Sequence, residues 1–180
     1  MEKKSLASEY PNLAKEWHPT QNGTLRPTDV TAGSHKTVWW ICNKGHEWMA
    51  PIHNRTLAGS KCPYCSNRKV LRGFNDLAST NPIVASDWNY EKNNGLLPTM
   101  ITSGSNKKVW WKCSLGHEWQ AAVVERAERG TGCPYCANQK VWIGFNDLTT
   151  TNPSIASEWN YNRNQKLLPT MVPPGLHSLP

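Results

Sequence analysis

The chain has 180 residues, 38% hydrophobic and only 18% charged, with ten Trp, thirteen Pro and twelve Gly. So much aromatic content excludes a disordered polymer. No apolar run approaches the ~20 residues of a membrane span, and the polar opening Met1–Tyr10 lacks the apolar stretch of a secretory signal, so a cytoplasmic chain with reduced thiols is expected, whose charge of +7 is a mild basic bias.

Taken in order, the chain opens with a helical segment, Ser5-Leu6-Ala7 followed by Pro11-Asn12-Leu13-Ala14-Lys15-Glu16-Trp17. Leu13, Ala14 and Trp17 fall on one face of a short helix. Too short to persist alone, it needs Trp17 as an anchor. Later versions are Asp76-Leu77-Ala78, Pro82 and Trp88, then Asp147-Leu148, Pro153 and Trp159. Ser5, Asp76 and Asp147 are expected to cap a helical turn. Asn81-Pro82 and Asn152-Pro153 read as an N-cap followed by Pro at the first helical position.

Residues 18–35 read as loop, with a turn at Asn22-Gly23. His18 and His35 face Asn89 and Asn106 in the second copy, so both are expected to be surface residues rather than ligands. A hairpin follows. Val38, Trp40 and Cys42 alternate onto one face and Trp39 and Ile41 onto the other. The outer pair becomes Trp110 and Lys112 in copy two, which predicts a partly wet face. Trp48, Ala50 and Ile52 return on the inner face, matched by Trp119, Ala121 and Val123, and Pro51 marks an edge strand. Cys62-Pro63-Tyr64-Cys65 looks like the start of a short helix, with Pro tolerated in its first turn. Gly73-Phe74-Asn75-Asp76 then leads into the next helical segment.

All of this recurs 71 residues on: Cys42, His46, Cys62 and Cys65 become Cys113, His117, Cys133 and Cys136, and Trp17 becomes Trp88 and then Trp159. The implied domains are 1–73, 74–144 and an incomplete third copy, 145–180, which follows the pattern to Gly175 and then reads Leu-His-Ser-Leu-Pro. That third copy is expected to be either a C-terminal cap that covers the last complete unit or a truncated or frame-shifted longer array.

The ligand spacing predicts zinc, two ions per chain. C-x₃-H across a Gly turn brings two ligands together and C-x₂-C supplies two more, the four-ligand set of structural zinc. Iron is the competing metal. Each Cys₃His site carries three thiolates and one Zn²⁺, which lowers the chain charge to about +5. Four protein ligands leave no position for a catalytic water. His53 becomes Val124 in copy two, so no shared His-based mechanism exists and no enzyme is expected.

The string W-W-x-C-x₃-H-x-W…R…G-x-x-C-P-Y-C, preceded by L-A…P…A-x-x-W and G-S-x-K-x-V, resembles the probable zinc-ribbon, treble-clef-like domain family, which occurs as tandem copies in bacterial, phage and plant proteins. The resemblance spans Ser5 to about Gly175. It implies zinc at the eight ligands. Some members resemble parts of nuclease or restriction-associated proteins, which favours a nucleic-acid partner. The expected fold is a small zinc-stabilised α+β one: tandem treble-clef-like modules, each a β-hairpin plus short helices. A plain zinc ribbon is the alternative.

Two functions fit. One is nucleic-acid binding, DNA foremost: Lys36 and Lys107, Arg55 and Arg126, and Lys69 and Lys140 recur and would neutralise phosphates, while Trp39 and Trp110 would stack on bases. Residues 5–75 carry nine basic and four acidic residues and 76–146 carry seven and six, so copy one is the better candidate. The other is a protein-binding adaptor or inhibitor, such as a blocker of a nuclease in host–virus conflict, since aromatic residues are enriched at interfaces.

Overall fold

In the computed structural model, residues 4–175 are described, and the final Leu-His-Ser-Leu-Pro lies outside them. The chain forms two compact units, Met1–Asn75 and Asp76–Pro180, so the incomplete third copy belongs to the second unit. No helix among the described residues is long and apolar enough to cross a membrane.

The first unit begins with α1 (Leu6–Glu9) and α2 (Pro11–Ala14). Ser5 caps α1 by accepting the Ser8 amide, and Pro11 occupies the first turn of α2. β1 (Thr37–Ile41) and β2 (Glu47–Pro51) form an antiparallel hairpin in which Trp40 faces Trp48. The stretch around Trp17 lies along the free edge of β1: the Ile41 amide donates to the Glu16 carbonyl and the His18 amide to the Trp39 carbonyl. That leaves β2 as the edge strand, where Pro51 is tolerated. Trp17 packs edge-on against Trp40, with ring centroids 5.6 Å apart at 77°. Leu6, Val30, Val38 and Ile52 complete a core in which Trp40, Leu6 and Ile52 are fully buried. Each such aliphatic side chain contributes about 1.5–3 kcal/mol. A core so small explains why buried tryptophans recur at its centre.

The second unit repeats this with α4 (Leu77–Thr80), α5 (Pro82–Ser86), a 3₁₀ turn at Pro98–Met100, β3 (Lys108–Lys112) and β4 (Glu118–Ala122). Trp88 meets Trp111 at 5.4 Å and 84°. It then adds α7 (Leu148–Thr151), α8 (Pro153–Ser157), α9 (Tyr161–Asn164) and a 3₁₀ turn at Pro169–Met171. Asp76 and Asp147 cap as expected, accepting the Ser79 and Thr150 amides.

Several expectations are corrected. Ile52 and Val123 do not extend β2 and β4 but open short helices, α3 (Ile52–Thr56) and α6 (Val123–Ala127). The amide of Ile52 bonds to the Lys36 carbonyl and the Thr56 hydroxyl to the Ala32 carbonyl, so the preceding loop bends the chain there. Cys62–Cys65 forms one hydrogen-bonded turn, Ser66 amide to Cys62 carbonyl, rather than a helix. Asn67, at φ 55°, stops it, as a left-handed residue stops a helix. Asn81 occupies the N-cap position without a capping bond; its side-chain amide donates to the Ala127 carbonyl instead. Tyr10 holds the same position in copy one, so Pro at the first turn rather than an Asn cap starts these helices.

His18 is not a surface residue. It is 6% exposed, its Nδ1 accepts the Thr20 and Gln21 amides, and its Nε2 lies 3.3 Å from a Glu47 carboxylate. Asn89 serves the same purpose in the second unit, its Oδ1 accepting the Lys92 amide and its Nδ2 donating to Glu118. An imidazole and a carboxamide each offer one acceptor and one donor, which is why the two types exchange here. His35 is exposed, as expected, and lies 4.3 Å from the His53 ring.

Candidate metal centres

The hairpin turn Cys42-Asn43-Lys44-Gly45-His46 is a tight knuckle. The Gly45 amide donates to the Cys42 carbonyl and the Cys42 amide to the His46 carbonyl. Gly45 sits at φ 78° and Gly116 at φ 83°, a region costly for residues with a Cβ. This turn aims both ligand side chains at the Cys62–Cys65 turn. Asn75 fixes that second turn from outside: its amide nitrogen donates to the Tyr64 and Lys69 carbonyls and its oxygen accepts the Leu71 amide. Asn146 repeats these bonds.

The result is two groups of four ligand atoms, each within 4.8 Å of one another. In the first, Cys42 Sγ lies 3.5 Å from His46 Nδ1 and 3.9 Å from Cys65 Sγ. His46 Nδ1 lies 3.2 Å from Cys65 Sγ and 3.6 Å from Cys62 Sγ. In the second, the matching separations are 3.5, 3.9, 3.3 and 3.7 Å. Tetrahedral zinc with Zn–S of about 2.3 Å and Zn–N of about 2.0–2.1 Å has S···S edges near ~3.8 Å and S···N edges near ~3.6 Å. Both constellations fit. All four ligands are protein atoms, and the imidazoles present Nδ1 in both sites.

The electrostatics agree. Desolvation pushes Cys65 up to about 11 and Cys136 up to about 12, and the two neighbouring sulfurs in each site add to this. At Cys42 desolvation works the same way, but the backbone amides of Lys44 and His46 outweigh it and hold the thiol below its ordinary value. Three thiolates crowded together resist ionisation without a cation, and a divalent metal supplies the missing charge.

Each ligating imidazole is wrapped in aromatic rings. Phe74 lies 4.2 Å and Tyr64 5.7 Å from His46. Phe145, Trp142 and Tyr135 lie 4.3, 5.0 and 5.6 Å from His117. Phe74 and Phe145 escaped the sequence reading as parts of the site, although the repeated Gly-Phe-Asn-Asp at 73–76 and 144–147 carried the signal.

The expected nucleic-acid residues divide. Lys36, Lys69, Lys107 and Lys140 are exposed, and Trp39 and Trp110 are half-buried. The Lys92 ammonium already covers the Trp110 ring at 4.6 Å, while Trp39 has His18 edge-on at 6.5 Å. Arg55 and Arg126 are not surface cations. They are 7% and 6% exposed, carried inward by α3 and α6. The Arg55 guanidinium sits 4.9 Å from both the Trp40 and Trp48 rings and pairs with Glu16 at 2.7 Å. Arg126 lies between Trp111 and Trp119 and pairs with Asp87. Nε and Nη1 of both have no hydrogen-bond partner, and the ring faces on either side compensate them. Each arginine clamps helix, hairpin and helical segment together and is closed to a phosphate.

The chain matches no curated protein. The profile of the family described as "Probable Treble clef zinc finger domain" matches it twice, over residues 13–68 and 84–139. Each match runs from the helical segment before the tryptophan through the hairpin to just past the C-P-Y-C turn, and so encloses one complete ligand set. Two stretches of 56 residues in 180 exceed half the chain, and with two fitting ligand tetrahedra the protein belongs to the probable treble clef zinc finger family, with two zinc-binding modules in tandem.

Proposed function

We propose that this is a non-catalytic, cytoplasmic nucleic-acid-binding protein, DNA being the foremost ligand, whose zinc ions hold the shape of a basic surface. The observation that carries the reading is the state of its recurring lysines. Lys36, Lys69, Lys107 and Lys140 are exposed, and among the described residues none of them pairs with a carboxylate. Free surface cations that displace counterions from phosphates supply most sequence-independent affinity. Trp39, half-buried on the strand that follows Lys36, adds a ring on which a base can stack. The closed metal sites support a structural role for zinc, because four protein ligands leave no place for a reacting water. The test is fluorescence anisotropy of the zinc-loaded chain with labelled DNA and RNA over a salt series. Affinity that falls steeply with salt supports the reading. No binding at low salt, or binding indifferent to salt, overturns it.

One observation favours a protein partner instead. Around the second zinc site Leu115, Trp142, Ile143 and Phe145 are 62%, 40%, 69% and 38% exposed. Apolar surface rimmed by polar residues suits a protein contact. Pull-down from lysate before and after nuclease separates the readings, since partners retained after digestion would bind the protein itself.

A further inference from the structure

We infer that the phosphate-binding site lies on the zinc face of the first module alone, formed by Lys44, Lys61, Arg68, Lys69 and Arg72 around Phe74, and that the second module has lost it. This rests on the nucleic-acid reading and narrows it: of the recurring lysines only Lys69 lies in the site, and Lys36, Lys107 and Lys140 stand outside it.

All five cations are exposed and stand in the stretches that carry the first site's ligands and Phe74. Lys44 sits in the knuckle between Cys42 and His46, its ammonium 5.3 Å over the Phe74 ring that packs on His46. Lys61 precedes Cys62. Arg68 folds back over the second ligand turn, its Nη2 donating to the Lys61 carbonyl at 3.0 Å and its Nε to the Ser66 hydroxyl at 3.1 Å. The Lys69 amide closes that turn onto the Pro63 carbonyl, and Arg72 lies in the turn that the Phe74 amide closes onto Leu71. None of the five pairs with a carboxylate among the described residues.

The second module is the internal control. At the same five positions it carries Leu115, Gly132, Gln139, Lys140 and Ile143. A Cys₃His zinc site has one net negative charge. Five cations turn the first rim to about four net positive charges, whereas one cation brings the second rim to about zero. Four of the basic residues that the second module has elsewhere are neutralised at home, Lys92 and Lys112 by Glu118, Arg129 by Glu125 and Arg126 by Asp87, while Lys107 and Lys108 are exposed and pair with no carboxylate among the described residues. In the first module only Arg55 among the Lys and Arg side chains is neutralised in this way among the described residues. A phosphodiester chain is thus offered one concentrated cationic rim, with an aromatic ring inside it.

The second module also supplies the test. The triple variant Lys44→Leu, Arg68→Gln, Arg72→Ile gives the first rim residues that the second module already accommodates beside an equivalent zinc site. The full zinc-loaded chain is titrated against a labelled 20-nucleotide single strand and the corresponding duplex from roughly 50 to 200 mM salt. Two zinc equivalents and an unchanged far-ultraviolet circular dichroism spectrum confirm that the variant is folded. Each lost phosphate contact lowers the salt slope by about 0.7 on a single strand or 0.9 on a duplex, so the triple variant should lose about 2–3 in slope and at least about tenfold in low-salt affinity. The pair Lys107→Gln, Lys108→Gln on the second module should lose less than about twofold. Wild-type binding that survives the triple variant but falls in the second-module pair overturns this inference and leaves the proposed function standing. No wild-type binding at all overturns both.

Discussion

Lys44 and Arg72 of the first module stand where the second has Leu115 and Ile143, yet the ligand separations of the two zinc sites agree to about a tenth of an ångström. Beneath those changed rims the same clamp recurs, one arginine between two tryptophans with a carboxylate behind it. The ligands and the clamp repeat in type and geometry, and the side chains around the metal rim vary in charge. The metal and the tryptophan clamp make each module a fold, and the rim is free to be rewritten without cost to it. An array of this design can therefore offer a different surface on each unit.

The largest test of that division removes the metal. Cys62→Ser with Cys65→Ser should abolish the first site and unfold the first module while leaving the ligands of the second intact. Zinc-finger peptides gain on the order of 10–16 kcal/mol from metal at neutral pH, comparable to or above the ~5–15 kcal/mol net stability of a domain. One zinc equivalent should remain, with loss of the near-ultraviolet signal of four of the ten tryptophans, those of the first module. Unchanged spectra and melting would remove the metal from the account of stability. Titrating zinc into the metal-free chain should also release about three protons per site, because each thiol must ionise to bind; a pH-stat reads this directly.

The clamp comes next. Arg55→Ala strips a planar cation from between two rings and should destabilise the first module by about 2–3 kcal/mol, discounted for the partial exposure of Glu16. Arg126→Ala should do the same to the second. Arg55→Lys should recover only part of the loss, because an ammonium cannot lie flat on both rings as the planar guanidinium does. If Arg55→Ala melts like wild type and instead weakens nucleic-acid binding, the burial assigned to it is wrong.

A smaller effect concerns His18 and Asn89. His18→Asn should be close to neutral, since the second module already works with the carboxamide. His18→Ala should cost about 0.5–1.5 kcal/mol by removing the acceptor of the Thr20 and Gln21 amides. Equal losses from the two substitutions would mean that the imidazole does more than satisfy that turn.

The smallest effect is one of acidity. The Thr150 hydroxyl, opposed by desolvation and helped by the Gly144 and Thr150 amides, holds the Asp147 carboxyl below its ordinary value of 3.8. A carboxylate lowered on folding stabilises the fold at and above the ordinary carboxylate range, and that contribution disappears as pH falls through the lowered value. Ser5, the equivalent cap of the first unit, does not titrate and confers no such dependence. A carboxyl titration by nuclear magnetic resonance should give Asp147 a midpoint below 3.8; a midpoint at or above it contradicts the capping geometry.

Much of this was legible in the residues. The eight ligands, the alternation of Val38 and Trp40, the caps at Ser5, Asp76 and Asp147 and the anchoring by Trp17 depend on local spacing, and a repeated spacing is visible in one dimension. The misreadings have a common physical origin. Arg55 and His18 are polar residues in stretches that looked exposed, and their burial is set by partners distant in sequence: Glu16 and Trp40 for the arginine, Glu47 for the histidine. Ile52 continued an alternating pattern, but a backbone bond from the loop at Lys36 turned the chain into a helix. Of the rim cations only Lys69, which recurs as Lys140, stood out in one dimension; Lys44, Lys61, Arg68 and Arg72 have no basic counterpart, and a repeat gives no signal where the copies differ.

The third helical segment carries a last consequence. Its backbone closes as in the other two, with the Leu148 amide on the Val172 carbonyl and the Trp159 indole on the Leu167 carbonyl. Leu148, Trp159 and Val172 are nevertheless half-buried where their counterparts are buried, and the core of the second hairpin takes no side chain from 148–175 among the described residues. Among the described residues no strand bridges to Trp159 as Trp40 and Trp111 bridge to Trp17 and Trp88, so the segment keeps its shape by its own bonds. Iodide should therefore quench the Trp159 indole more readily than those of Trp17 and Trp88.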